Sequence, residues 1–481
     1  MTLNFISPWE PSPFGGLPSR KKLSVPLSIN YMKKLFSINP ATEEIFGEFP
    51  ILTENELENK INLSHEAFKK WKKVSFSEKK VLMKKVGKIL LLHKQKFAKM
   101  ITMEMGKNIE ESTAEVEKCA TLCEFLAGSA EAILKEEIIK TEAEESYIRF
   151  EPLGVIFSIM PWNYPFWQVF RAAVPALMVG NTMLLKLASN VPQTSQLIEK
   201  IFIEAGFPKG VFQNLLIDSS ISEQVIKNNY IRGVTLTGSE KAGSTVASLA
   251  GASIKKSILE LGGSDPFIVL DDADIKRASL VSTSARLSVS GQVCISAKRF
   301  IIQKKIANEF IRELTKNFEE IRNKIGPLSG KKILETIEDQ VNSSVKMGAK
   351  IITGGKRIAK KGYFYPPTIV TNVTKKMPLY FEEAFGPLAT IFIVEDDAEA
   401  IKIANDTKFG LGASVWTNNK KRAQLFIEEL ESGSVFINNK VTSNIRLPFG
   451  GSKNSGYGRE LSSYGLKEFV NIKTVVIEKQ M

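Results

Sequence analysis

Short apolar runs alternate with helix-like segments from about residue 147 onward, and this alternation constrains the fold more than any other feature of the sequence. Such runs, bounded by Gly, Pro and polar residues, are typical of buried strands. The first group predicts four strands, at Leu153–Met160, Thr182–Lys186, Val211–Ile217 and Val234–Thr237. It also predicts one helix, at Gln193–Ala205. A glycine-opened helix follows Thr237. Strands joined by crossover helices form parallel sheets, so this part predicts an α/β domain.

A second alternation begins near Ile254 and predicts a second α/β domain. Its expected strands are Pro266–Leu270, Arg299–Gln303 and Ala349–Thr353, with helices at Ile275–Val289 and Ala307–Ile325. Residues 54–108 have apolar side chains near a 3.6-residue period, which indicates helices before the first sheet. The chain from Phe436 onward is richer in Gly and Asn and ends in an alternating strand, Glu468–Ile477.

The charge balance bears on which partners the chain can have. Its 65 Lys and Arg outnumber its 52 Asp and Glu, giving a formal net charge of +13. The Lys residues are spread beside Glu in helix-like segments, which is typical of solvated faces, so we expect no nucleic-acid partner. The chain lacks the roughly 18–20 continuous apolar residues that cross a bilayer, and we expect no membrane contact. Three Cys in 481 residues cannot form a disulfide framework and indicate a reducing compartment, the cytoplasm.

Residues 1–31 differ from the rest of the chain because five prolines interrupt any regular helix there. They have neither the apolar core of a signal peptide nor the Arg-rich amphipathic pattern of a transit peptide. We expect this extension to be disordered or absent from the native protein, with translation starting at Met32.

Cys294, in the small-residue segment SGQVCISAKRF, is a candidate nucleophile just before a predicted strand. A buried structural thiol is the alternative. A nucleophilic thiol needs a base, and the only two His, His65 and His93, lie in Lys-rich helical stretches far from any glycine-rich loop.

Cys119 and Cys123 share one helical face; we interpret them as core residues rather than half of a metal site, and expect no metal.

Two polar residues at predicted strand ends could provide the remaining chemistry. Glu260 ends an apolar strand beside Gly262 and Gly263, so it could turn toward a site, and partial burial would raise its pKa toward neutrality. Asn163 follows the first strand in the turn PWNYP and could donate to an oxyanion. The alternatives are a surface Glu and an Asn that satisfies its own turn.

Gly238 and Ser239 open a helix directly after a strand, and Gly243 follows five residues after Gly238. The free N–H groups and dipole at a helix N-terminus favour a diphosphate. Alone, this pattern is weak, since it is not the common GxGxxG.

Seven motifs in order resemble the aldehyde dehydrogenase superfamily, from Phe36 to the C-terminus: PWNYPFWQ (161–168), LLKLAS (184–189), LTGSEKAG (236–243), LELGGSDP (259–266), GQVCISAKRF (291–300), EEAFGP (382–387) and PFGGSKNSGYGRE (448–460). The resemblance implies an α/β fold with two parallel-sheet domains and a small β bridging element. It implies an NAD(P)-binding domain from 32–125 and 147–252, a catalytic domain from 253–436, and a bridging element from 126–146 and 437–481. That element implies a homodimer or homotetramer.

The resemblance also implies roles for individual residues. Cys294 would attack the aldehyde, Glu260 would serve as the base and then activate water, and the Asn163 amide would stabilise the oxyanion. A thiohemiacetal and then a thioester would form, and the thioester would be hydrolysed. The residues implied to hold the dinucleotide are Trp162, Lys186, Ser189, Gly238, Ser239, Leu261, Glu383 and Phe385.

Cofactor choice depends on Ser189, because many family members that prefer NAD carry a Glu there, which repels a 2′-phosphate. A small neutral residue favours NADP, with NAD also accepted.

The chain is most similar to short bacterial and archaeal succinate-semialdehyde dehydrogenases. The segments that carry this similarity are EVEKCA (115–120), FWQVFRAAVPAL (166–177), GQVCISAKRF and SNIRLPFGG (443–451). Candidates for its carboxylate are Arg171, Arg286 and Ser443; Ser288 stands where some such enzymes have a second Arg.

Two alternatives to this function stay open at the level of sequence. Within the family, the substrate could be another semialdehyde or a neutral aliphatic aldehyde. In a different class, Cys294 and Glu260 could hydrolyse a thioester or ester without redox chemistry.

Overall fold

A computed structural model describes residues 33–479. The predicted extension 1–31 and the predicted start at Met32 lie outside the described residues. Within 33–479, every helix is too short or too polar to cross a bilayer.

The described chain forms strands and helices of ordinary length. In chain order the strands are β1 Lys34–Ile38, β2 Ile45–Pro50, β3 Glu137–Ile138, β4 Glu145–Pro152, β5 Val155–Met160, β6 Thr182–Leu187, β7 Phe212–Asn214, β8 Ile231–Thr237, β9 Lys256–Glu260, β10 Asp265–Val269, β11 Ala297–Gln303, β12 Lys350–Thr353, β13 Thr368–Thr371, β14 Leu388–Val394, β15 Phe409–Gly410, β16 Ala413–Trp416, β17 Val435–Ile437, β18 Ser452–Lys453, β19 Gly456–Tyr457 and β20 Val470–Ile477. The helices are α1 Glu54–Trp71, α2 Phe76–Leu92, α3 Lys94–Met105, α4 Ile109–Ile133, α5 Trp167–Val179, α6 Pro192–Glu204, α7 Ser222–Lys227, α8 Glu240–Ala252, α9 Ile275–Leu287, α10 Lys304–Ile321, α11 Lys331–Lys346, α12 Pro378–Phe381, α13 Asp397–Asn405, α14 Lys420–Glu429 and α15 Ser462–Leu466.

The first sheet has six strands in the order β19-β9-β8-β5-β6-β7, and β19 alone runs antiparallel to its neighbour. This arrangement confirms the predicted parallel sheet. β9 pairs with β8 and so belongs to this sheet, although it follows the domain boundary that the resemblance implies at 252/253. The carboxyl ends of β5, β6, β8 and β9 therefore lie along one edge.

The second sheet has seven strands in the order β12-β13-β14-β11-β10-β16-β17, parallel except at β12. Its central strands β10 and β11 are buried along their whole length. Such continuous burial requires layers on both faces, which explains why these strands read as apolar runs.

A third, antiparallel sheet joins β20, β4 and β3. The hairpin expected over 126–146 is displaced, because α4 continues to Ile133 and the hairpin strands are Glu137–Ile138 and Glu145–Pro152. Exposed apolar side chains on this sheet include Ile138, Ile472 and Val476.

The helices α1–α4 precede the first sheet, as the apolar period predicted. Thr53 and Ser75 each begin a helix with a capping box, which satisfies backbone N–H groups that have no partner within the helix.

Cys119 and Cys123 on α4 are completely buried in the apolar core, which confirms their interpretation as core residues. Within 33–479, no group of three or more His, Cys, Asp or Glu side chains is placed to hold a metal ion.

Candidate active site

Cys294 lies in the loop between α9 and β11 and lines a cavity of about 290 Å³. The loop turns sharply, since Val289, Ser290 and Gly291 all have positive φ angles of 52°, 53° and 75°. A Cβ at position 291 would collide with the Gly386 carbonyl, so only glycine allows this close approach. Such a strained turn persists only where surrounding contacts hold it, which is common beside functional groups.

The surroundings of Cys294 keep its thiol protonated. Burial raises the pKa of Cys294 to about 12, although Arg171 and Lys298 act in the opposite direction. Because the thiolate is the nucleophile, the site needs a group that removes this proton.

Glu260 ends β9 at the carboxyl edge of the first sheet and is only 2% exposed. Among the described residues, neither of its carboxylate oxygens has a hydrogen-bond partner. Burial, reinforced by the nearby Glu460 carboxylate, raises the pKa of Glu260 well above its ordinary value. An unpartnered buried carboxyl is costly, which is typical of a functional residue. Its side chain lies outside the lining of the Cys294 cavity.

Asn163 follows β5 and is buried, as expected for a residue on a rigid turn. Its Nδ2 donates to the Gln292 carbonyl at 2.9 Å, two residues before Cys294. The turn is thereby tied to the nucleophile loop. One amide hydrogen remains for an oxyanion, because a side-chain amide has two.

A lysine that sequence reasoning missed connects the nucleophile loop to Glu383. Lys298 Nζ donates to the Cys294 carbonyl at 2.6 Å and to the Val293 carbonyl at 3.1 Å, and it lies 2.9 Å from Glu383 Oε1. Glu383 Oε1 also accepts from the Gly263 N–H at 3.1 Å. The available signal was a Lys beside Arg299 at the start of a strand, AKRFIIQ, whose centre is apolar.

The expected dinucleotide residues lie around the carboxyl ends of the first sheet. Lys186, on β6, is buried, and burial lowers its pKa while the Asp218 charge opposes that shift. Gly238 and Ser239 precede α8, where Ser239 caps the helix by accepting from the Ala242 N–H. Ser189 is exposed in the turn after β6.

The remaining dinucleotide candidates pack close to these groups. Trp162 and Phe385 meet edge to face with their ring centroids 5.7 Å apart. A Cβ on Gly243 of α8 would lie 2.5 Å from the side chain of Leu261, so a glycine lets that helix approach the strand end. A buried ammonium, free N–H groups at a helix N-terminus and a neutral Ser form a donor set that fits a dinucleotide phosphate.

Arg171 and Ser443, the two candidates for binding the substrate carboxylate, both line the Cys294 cavity. Arg171 Nε lies 2.7 Å from Glu460 Oε2, and its Nη2 donates to Gln168. Ser443 Oγ accepts from Lys118 Nζ at 2.6 Å. Lys118 was missed because nothing in its local sequence distinguishes it from a surface lysine of an amphipathic helix.

The expectation that Arg286 binds substrate is wrong in this structure. Its guanidinium is completely buried and lies outside the cavity lining. It donates to four backbone carbonyls, those of Gly291, Ala297, Ala384 and Gly386. Arg286 therefore joins the nucleophile loop to the Glu383–Phe385 loop. The planar guanidinium group, with its five N–H donors, can bind several carbonyls at once. The sequence could not reveal that these two loops lie next to each other.

Glu115 and Lys107 form a second buried support that sequence reasoning missed. Glu115 Oε1 accepts from the N–H groups of Phe166 and Trp167 at 2.8 and 2.9 Å, and its other oxygen pairs with Lys107. Since α5 has no cap of its own, this carboxylate from α4 caps it and favours its dipole. The pair thereby fixes the turn that carries Asn163.

Comparisons with known proteins agree with this geometry. A sequence model of the aldehyde dehydrogenase family matches residues 30–475. A probable succinate-semialdehyde dehydrogenase [NADP(+)] of Synechocystis is 46% identical over 449 residues, 92% of this chain and 99% of that protein. A succinate semialdehyde dehydrogenase [NAD(P)+] of Escherichia coli is 42% identical, covering 91% and 97%. A solved succinic semialdehyde dehydrogenase of Streptococcus pyogenes with NADP+ superimposes with a TM-score of 0.91 at 37% identity, covering 92% and 100%.

Proposed function

The chain belongs to the aldehyde dehydrogenase family, and on that premise we propose that it oxidises succinate semialdehyde to succinate with NADP. One observation supports this proposal most: the cavity that contains the Cys294 thiol is lined by three cationic side chains, Lys118, Arg171 and Lys440, beside the carboxylates of Glu111 and Glu115. Cationic side chains in excess of carboxylates suit an aldehyde with an anionic end. Both relatives named above are called succinate-semialdehyde dehydrogenases.

The first step is attack of the Cys294 sulfur on the aldehyde carbon. The thiol proton leaves to Glu260, directly or through water, and the carbonyl electron pair moves to oxygen. The Asn163 amide and the Cys294 N–H stabilise this oxyanion, and losing one such donor costs about 10²–10³ in rate. The raised pKa of Glu260 makes its carboxylate a strong base once it is ionised.

The oxyanion then re-forms the carbonyl while the hydride leaves the same carbon, so a thioester remains on Cys294; a nicotinamide dinucleotide, when bound, would supply the acceptor for this hydride. Lys186, Gly238 and Ser239 hold its phosphates, while Glu383, oriented by Lys298 and the Gly263 N–H, holds the nicotinamide ribose. Trp162, Leu261 and Phe385 provide the apolar surfaces around it.

Glu260 first releases the thiol proton to solvent; it then takes a proton from a water that attacks the thioester carbon, and it returns this proton to the departing Cys294 sulfur as the carboxylic acid is released. The glycines that follow Glu260 give its backbone the freedom to present the carboxylate to the cavity. One carboxylate thus performs both proton transfers, and no histidine is required.

Ser189 determines the cofactor in this proposal. It is exposed, small and neutral, so a 2′-phosphate meets no negative side chain there, and the Lys186 cation lies nearby along β6. We expect NADP to be preferred and NAD to be accepted.

A panel of aldehydes against both cofactors tests the proposal, with reduction followed at 340 nm. We expect the highest kcat/KM for succinate semialdehyde with NADP. Arg171→Ala should raise KM for this substrate far more than for butanal. A preference for butanal, or a kcat/KM that strongly favours NAD, would contradict the proposal.

We propose that the chain acts as a homodimer or homotetramer in the cytoplasm. The antiparallel sheet of β3, β4 and β20 exposes Ile138, Ile472 and Val476 at 71%, 61% and 53%. Covering such side chains with a second copy would stabilise the assembly. All three cysteines are free thiols, which suits a reducing compartment. Light scattering at micromolar concentration would reveal a monomer if the proposal fails.

A further inference from the structure

Three cations line the Cys294 cavity, and they differ in how their charges are balanced. Arg171 faces the Glu460 carboxylate at 2.7 Å, and both side chains are buried, so its charge is already paired. Lys440 Nζ donates to Ser284 at 3.1 Å, and the Glu111 carboxylate acts on its charge. Among residues 33–479, no carboxylate lies within ion-pair distance of Lys118, whose partner is the neutral hydroxyl of Ser443; the Glu115 carboxylate acts on its charge but is itself paired with Lys107.

The surroundings of Lys118 hold its ammonium at the cavity wall. Lys118 extends from the middle of α4, and its Nζ lies 4.3 Å from the centroid of the Trp167 ring. The side chain is partly buried. Removing an ammonium from water without an opposite charge is unfavourable, and the arrival of an anion relieves that cost.

The hydrogen bond between Lys118 and Ser443 leaves the pair able to bind a carboxylate. Since Ser443 Oγ accepts from Lys118, the hydroxyl proton of Ser443 remains available to donate. Lys118 has three ammonium hydrogens, of which one faces Ser443. A carboxylate could therefore accept from both side chains at once.

We propose that Lys118, together with Ser443, binds the carboxylate of the substrate and replaces the second arginine whose place is taken by Ser288. This inference rests on the proposed function and assigns its specificity to a pair contributed by α4 and the loop after β17. Arg171, paired with Glu460, then shares recognition of the carboxylate with this pair.

The test compares KM for succinate semialdehyde and for butanal, a neutral aldehyde of the same chain length, in Lys118→Met. Methionine keeps the apolar stem against Trp167 and removes the charge. We expect KM for succinate semialdehyde to rise about ten- to hundredfold, the value of a hydrogen bond to a charged group, while KM for butanal stays within about twofold. Lys118→Arg should recover most of the loss.

Lys440→Met is the matched control, because it removes a second cavity ammonium. It should leave the ratio of the two KM values within about threefold of the wild type. Equal changes for both substrates in Lys118→Met, unchanged KM values, or a larger carboxylate-specific effect in Lys440→Met would each overturn the inference. If Lys118→Met does not fold, Ser443→Ala takes its place, with an expected rise of about tenfold for succinate semialdehyde alone.

A binding measurement without turnover separates this inference from the proposed function. Millimolar succinate should raise the melting temperature of the wild type in the absence of nucleotide, and the shift should disappear in Lys118→Met. A retained shift overturns the inference alone. A wild type that binds no succinate and does not prefer succinate semialdehyde over butanal overturns both.

Discussion

Arg286→Met should unfold the protein more easily without a selective loss of carboxylate binding. The Arg286 guanidinium donates to carbonyls in two loops, one before Cys294 and one after Glu383. Methionine fills the space but leaves those carbonyls buried without donors. The two loops, and the side chains they carry, would then lose their common support.

The magnitude follows from the bonds that are lost. The Nη2 nitrogen of Arg286 donates to the carbonyls of Gly291, Ala384 and Gly386, and Nη1 donates to the carbonyl of Ala297 at 3.0 Å. Counting two full bonds to a charged donor, at about 1.5–3 kcal/mol each, gives a loss of about 3–6 kcal/mol in the free energy of unfolding. That is a large part of the total of about 5–15 kcal/mol typical of a folded domain.

Urea unfolding followed by tryptophan fluorescence measures this loss, and steady-state kinetics with succinate semialdehyde and butanal measures the effect on the site. We expect kcat to fall for both aldehydes together. Arg312→Met, at an exposed position, is the control and should change stability by less than about 0.5 kcal/mol. Native stability combined with a KM increase for succinate semialdehyde alone would refute this account of Arg286.

Three further predictions follow from the site. Glu115→Gln leaves Lys107 as an unpaired buried charge, so chemical denaturation should show a loss of about 3–5 kcal/mol; an unchanged midpoint would contradict the stabilising role of this buried ion pair. The Cys294 pKa of about 12 means that the thiolate fraction grows with pH, so alkylation of the nucleotide-free enzyme by iodoacetamide should accelerate nearly tenfold per pH unit from 7 to 9, and a flat profile would contradict the burial effect. Ser189→Glu should lower kcat/KM for NADP at least tenfold while sparing NAD, which initial rates with both cofactors would test.

Much of the fold could be predicted from local sequence, because buried parallel strands are short continuous apolar runs. The strand at Leu153–Met160 and the helix from Ile275 are examples. Pairing could not be predicted in this way. β9 joins the first sheet although a new alternation begins there, and α4 continues through the position expected for a hairpin.

The candidate site was predicted where chemistry and motif coincide, at Cys294, Glu260 and Asn163, whose catalytic roles remain predictions. The sequence could not distinguish an arginine that faces a cavity from one that binds backbone carbonyls, so Arg286 was misplaced. It also missed Lys118 and Lys298, since a lysine gains a role at the site only from partners distant in the sequence.

The most direct test of the account is a trapped acyl-enzyme. Glu260→Gln should slow formation of the thioester, because the thiol loses its base, and should block its hydrolysis, so NADPH should appear slowly and stop at one equivalent per active site after mixing with succinate semialdehyde and NADP. Peptide mass spectrometry should then place a succinyl group on Cys294. Continued turnover at the wild-type rate, or NADPH formation with an unmodified Cys294, would contradict covalent catalysis by this cysteine and this carboxylate.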